Sequence, residues 1–110
     1  MKDDRIYLNH ILEAIGDIER YTADGYAVFI RERIQQDAVI RKLEVIGEAA
    51  KHLSTAAKAA RPEIQWREIA AMRDKMIHEY FGVNLEIVWA AVEHNLPELK
   101  HAAEKLLAAK

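Results

Sequence analysis

Apolar side chains recur every three to four residues along almost the whole of this 110-residue chain, and no stretch alternates with a period of two. That spacing puts one greasy stripe on each of several helices and leaves no pattern for a sheet. Leu8, Ile11, Leu12, Ile15 and Ile18 mark a first helix, with Asp3 or Asp4 as its N-cap. Thr22-Ala23-Asp24-Gly25 ends it, and Tyr26 to Arg33 reads as a short helix with Phe29 and Ile30 inward. A long helix is expected from about Gln36 to Ala59, with Val39, Ile40, Leu43, Ile46, Gly47, Ala50 and Leu53 on its core stripe.

Gly47 is costly inside a helix, by about 1 kcal/mol against alanine. Its place on the core stripe predicts the close approach of another helix. Arg61-Pro62 stops the long helix, because the residue before proline avoids the α region. A further helix runs from Trp66 to about Phe81, with Gly82 just past its end. Asn84 caps the next, Leu85 to His94, with Ile87, Val88, Ala91 and Val92 inward. Leu96-Pro97 predicts a kink or brief interruption before a last helix reaching Leu107. The expected fold is all-α, an antiparallel four- to five-helix bundle in one domain spanning residues 1–110.

Composition excludes several classes of function. There is no cysteine, so disulfides and thiolate metal sites are out. No apolar run is long enough to span a bilayer and the first residues are not a signal peptide, so a cytoplasmic protein without membrane partners is expected. The net charge of −2 does not advertise nucleic-acid binding, but its distribution is uneven. Residues 1–50 carry −3, residues 51–75 carry +3 and residues 76–110 carry −2. A local positive segment can recruit a polyanion without a basic chain overall.

That segment leads into Arg73-Asp74-Lys75-Met76-Ile77-His78-Glu79-Tyr80, the densest chemistry in the sequence. On a helical net Ile69, Met72, Met76, Ile77, Tyr80 and Phe81 form one apolar arc with Arg73 in its middle. A charge there must be paired or must line a polar cleft. Glu48, at the edge of the long helix's stripe, is the candidate supporting carboxylate. Asp74 and His78 are four apart and share a face, so Asp74 can orient the imidazole. Arg73 and Tyr80 share the neighbouring face. Arginine suits phosphate, and histidine moves protons near neutral pH. Cleaving RNA without metal needs a base for the 2′-OH, an acid for the 5′ oxygen and a cation for the phosphorane. One histidine does not serve easily as both base and acid, and a two-fold dimer would bring two copies of the stretch into one cleft.

Blander readings stand beside this one. Arg73 can simply pair with Glu48, His78 can be a helix C-terminal histidine and Tyr80 an interface aromatic. Glu44, Glu48 and His52 lie four apart, and Glu98-Leu99-Lys100-His101 is a single Glu-x-x-His unit, whereas a di-iron bundle needs that unit twice. No metal and no cofactor is expected.

At Arg73 to Tyr80 the chain resembles the HepT family of HEPN ribonuclease-fold proteins, the toxin halves of HEPN/MNT toxin–antitoxin pairs. The family's mark is arginine, four residues, histidine, one residue, tyrosine, and Arg73, His78 and Tyr80 match it in full. Arg41-Lys42-Leu43-Glu44-Val45-Ile46-Gly47-Glu48-Ala49-Ala50, Trp66, Val88-Trp89 and Leu96-Pro97 extend the likeness over nearly the whole chain. The resemblance implies a HEPN-like bundle that forms a homodimer with paired motifs lining a cleft. It implies metal-independent endoribonuclease action on RNA by Arg73 and His78, with Asp74 in support. It also implies an MNT-type nucleotidyltransferase antitoxin that transfers AMP to Tyr80. The alternative is a non-catalytic nucleotide-binding or substrate-presenting helical subunit that partners such a nucleotidyltransferase.

Overall fold

The computed structural model describes residues 3–78 and 84–109, with residues 75–78 described by their backbone. Within them the chain forms α1 (Asp4–Tyr21), α2 (Tyr26–Phe29), α3 (Arg33–Lys51), α4 (Thr55–Ala60), α5 (Trp66–His78), α6 (Leu85–Ala90) and α7 (Leu96–Ala108). Among the described residues there is no strand. The all-α architecture expected from the spacing is therefore observed.

The expected stripe of α1 is buried: Leu8, Ile11, Ile15 and Ile18 are at most 1% exposed. They meet Val39, Leu43, Ile46 and Ala50 of α3, Ile69 of α5, Val88 of α6, and Leu99, Ala102 and Ala103 of α7 in one core. Each large side chain sealed there contributes about 1.5–3 kcal/mol relative to exposure. α1 and α3 lie antiparallel, since Tyr7 stacks on His52 at one end and Asp17 pairs with Lys42 towards the other.

Asp3 is the N-cap of α1, accepting from the Arg5 backbone N–H at 2.9 Å. Asp4 is instead buried, and its carboxylate accepts from the Ser54 N–H at 2.8 Å and the Ser54 hydroxyl at 2.6 Å. This clamp corrects the reading of one helix from Gln36 to Ala59. α3 starts earlier, at Arg33, and ends at Lys51. Ser54 turns its N–H to Asp4 and caps α4 by accepting from Ala57 N–H at 3.1 Å. A serine with its N–H committed elsewhere cannot continue the α3 ladder, so the helix restarts.

Gly25, at φ +90°, makes the turn after α1. α2 stops at Phe29, short of Arg33, and Ile30 in its closing turn is 42% exposed rather than inward. Asn84 caps α6 as expected, accepting from Glu86 and Ile87 N–H. Ile87 is 52% exposed, however, and Val88 carries the burial with Trp89, which packs on Phe29 and Tyr26 at 5.2 and 5.4 Å between ring centroids.

The kink expected at Leu96-Pro97 is a widened turn. Ala91–Asn95 is π-helical and runs from α6 into α7, whose first turn holds Pro97. Proline lacks an N–H and crowds the carbonyl four residues back, and a wider turn accommodates both. The helix end near Phe81 and the Gly82 cap lie outside the described residues.

Candidate functional site

α5 begins at Trp66, whose indole N–H donates to the carbonyls of Lys58 and Arg61 at 3.1 and 2.9 Å. From that anchor α5 crosses α3 at Gly47. A Cβ placed on Gly47 would lie 2.7 Å from the Arg73 backbone nitrogen, 3.0 Å from the Arg73 Cβ and 3.1 Å from the Ile69 carbonyl oxygen. The close approach expected at Gly47 is thus made by the motif arginine itself.

The Arg73 guanidinium pairs with the neighbouring turn of α3: Nε lies 3.0 Å from Glu48 Oε1. Nη1 donates to Asp74 Oδ1 at 3.1 Å. The cation on the apolar arc is therefore paired, and with the carboxylate the sequence pointed to. Glu48 Oε1 is buried and receives no directed hydrogen bond, so its link to Arg73 is an ion pair and not the usual two-pronged fork. The other oxygen, Oε2, lies 3.1 Å from His52 Nε2.

Arg73, Glu48 and His52 line a cleft of about 420 Å³ together with Tyr7, His10, Arg41, Glu44, Val45 and Ala49. Arg41 pairs with Glu44 at 3.2 Å. Tyr7 lies face to face with His52, ring centroids 5.1 Å apart and planes at 22°, and meets His10 edge-on at 6.2 Å. The volume falls in the range of small-molecule sites, and the lining mixes cations, carboxylates and proton carriers.

Sequence reasoning did not single out Tyr7, His10 or Arg41 as site residues, and weighed His52 only as a metal ligand with Glu44 and Glu48. Only His52 carried a clue, its spacing four after Glu48. Of the predicted residues, Arg73, Asp74 and Glu48 come together. The His78 backbone is the last described part of α5, while its side chain and Tyr80 lie outside the described residues, as does the expected Asp74–His78 contact. Glu98 and His101 are exposed on α7. Among the described residues no three carboxylates or imidazoles gather to hold a metal ion. None of the helices described is long and apolar enough to cross a membrane.

Comparison with known proteins agrees with the residue pattern. The family model described as "Ribonuclease HepT-like" matches residues 11–106. A "Probable ribonuclease HepT" of Thermococcus cleftensis is 48% identical over 101 residues, covering 91% of this chain and 92% of its own. A "Putative RNase" of Caldanaerobacter subterraneus is 41% identical over 108 residues, 97% of this chain and 96% of its own. A "Gamma-glutamylcyclotransferase and putative RNase" of Methanocaldococcus jannaschii is 46% identical over 107 residues, and the chain spans only 48% of that protein's length. No solved structure matches. The chain belongs to the HepT-like family of ribonucleases.

Proposed function

We propose that this protein is a toxin-type, metal-independent endoribonuclease that acts as a homodimer and is neutralised by an MNT-type nucleotidyltransferase through AMP transfer to Tyr80. Membership of a ribonuclease family supports the RNA nuclease activity. The observation that carries the finer reading is the placement of Arg73. Its guanidinium faces an open polar cleft, with Nε and Nη1 engaged by Glu48 and Asp74 and Nη2 in neither contact. That edge suits a phosphate oxygen. In this reading Arg73 offsets charge on the phosphorane, His78 transfers protons and Asp74 steadies them. Tyr80 stands seven residues after Arg73 in the motif, and in this reading AMP attached there sets its phosphate against the arginine and keeps RNA out. Dimerisation would cover exposed apolar side chains such as Ile34, which is 84% exposed. The cytoplasm is the proposed location.

The test is cleavage of RNA by purified protein in the presence of chelator, comparing wild type, Arg73→Ala and His78→Ala. Cleavage by wild type alone supports the reading. Equal cleavage by all three ends it, and a wild type that binds RNA or nucleotide without cutting favours the binding-subunit alternative. Incubation with a nucleotidyltransferase and labelled ATP should label wild type and not Tyr80→Phe.

A further inference from the structure

We infer that Glu48 is the general base of RNA cleavage and works in the same subunit as Arg73. The inference rests on the ribonuclease reading above and replaces a second histidine as the proton acceptor.

The ion pair between Glu48 and Arg73 is poorly built for holding two helices together. A carboxylate that serves only to pair an arginine often takes two parallel hydrogen bonds. Here one oxygen approaches one nitrogen, and that oxygen is buried without a directed donor. A buried acceptor left in that state calls for a reason, and a catalytic role is among the common ones. The Glu48 side chain is nevertheless 46% exposed, so with Oε1 buried its remainder opens onto the cleft.

Oε2 receives its hydrogen bond from His52. An ionised carboxylate only accepts, so the proton of that bond belongs to His52 Nε2. The Tyr7 ring lies over the imidazole and fixes its plane. His52 is therefore a positioning residue, and Oε2 keeps a second lone pair for a substrate proton. Among the described residues, the charged and titratable groups around this carboxylate are Arg73 and Asp74 from α5, Tyr7 and His10 from α1, and Arg41, Glu44 and His52 from α3 and the turn that follows it.

The step balances. With a scissile phosphate on Arg73, the 2′-O–H bond breaks and its proton goes to Glu48 Oε2. The 2′ oxygen forms its bond to phosphorus, the bond from phosphorus to O5′ breaks, and O5′ takes a proton from His78. The products are a 2′,3′-cyclic phosphate and a 5′-hydroxyl, and solvent returns both residues to their starting forms.

Charge follows the proton. Before reaction Glu48 partly neutralises Arg73. As Glu48 is protonated it releases the guanidinium, at the moment the phosphorane gains negative charge. The arginine is thus strongest in the transition state and weaker in the ground state, which is the differential that accelerates a reaction.

The experiment is single-turnover cleavage by wild type, Glu48→Gln, Glu48→Asp, Arg73→Ala and His78→Ala, each checked for helical content. Two substrates are used, ordinary RNA and RNA whose scissile 5′ oxygen is replaced by sulfur, a leaving group that needs no acid. Glu48→Gln keeps the size of the side chain and an acceptor for His52. It should lower the cleavage rate by about 10²–10⁴-fold with no loss of RNA affinity, and should abolish the acidic limb of the pH–rate profile. The sulfur substrate should restore His78→Ala and leave Glu48→Gln slow. Glu48→Asp, which keeps the charge beside Arg73, should fold and fall between wild type and Glu48→Gln, so the test survives a Gln variant that does not fold. A Glu48→Gln enzyme as fast as wild type, or slowed only through weaker binding, overturns the inference while the ribonuclease reading stands on an inactive Arg73→Ala. Wild-type rates in Arg73→Ala and His78→Ala overturn both.

Discussion

Arg73 is seated on Gly47 through its main chain, with no room between them for a single methyl group. The residue that meets phosphate in the proposed reaction is therefore fixed by helix packing before its side chain makes any contact. The nearest obstructing atom, the Arg73 nitrogen, is backbone and cannot swing aside.

Gly47→Ala should consequently destabilise the protein, although alanine is the better helix former. Overpacking a rigid contact costs about 1–3 kcal/mol, against about 1 kcal/mol gained in helix propensity. Urea denaturation should show a lower midpoint, and RNA cleavage should fall further than stability does because α5 carries Arg73 away from Glu48.

Arg73→Lys keeps the positive charge and removes the planar fork. A lysine reaching Glu48 has no second edge to offer phosphate. Misplacement of this kind costs on the order of 10²-fold in rate. Cleavage assays on Arg73→Lys should show that loss, with the thermal midpoint close to wild type because the charge pair is half exposed.

Asp4→Ala should lower stability without touching the cleft's chemistry. It strips the part-buried Ser54 N–H and hydroxyl of the carboxylate that accepts from them. Losing a hydrogen bond to a charged group costs about 1.5–3 kcal/mol, less where water reaches the freed donor, and each kcal/mol moves the midpoint of a domain this size by roughly 4–8 °C. Thermal unfolding followed by circular dichroism measures it.

Asp17 gives a pH signature. The hydrogen bond from Lys42 at 3.0 Å, aided by Arg20 and opposed by partial burial, holds its carboxyl below the usual carboxylate range. A lowered folded value stabilises at pH above the unfolded value of about 4 and is lost as pH falls through the lowered one. Wild type should melt above Asp17→Asn at neutral pH, and the gap should close in strong acid.

The stripes of α1 and α3, the Asn84 cap and the demand for a neighbour at Gly47 are all visible in the residue spacing, because each is a local rule of one helix. The clamp between Asp4 and Ser54 is not visible, since its partners stand fifty positions apart and neither is unusual where it sits. The break it causes was hidden by the alanines on either side, which favour helix. In the cleft, Arg73 and Glu48 were legible from a charge on a greasy arc and a carboxylate on the facing edge. Tyr7 and His10 were not, because α1 reads as an ordinary amphipathic helix and only its antiparallel course beside α3 brings its first turns to His52.

The π-helical turn at Ala91–Asn95 behaves as a one-residue insertion absorbed inside a continuous helix. It resets the angular phase of everything after it, so that Leu99, Ala102 and Leu106 reach the core although Val88 has already been aimed there by α6. Removing a single residue from this segment would straighten the rod and rotate α7 by about 100° relative to α6. Either Leu99 would then leave the core, or Trp89 would leave Phe29, and the bundle would have to choose.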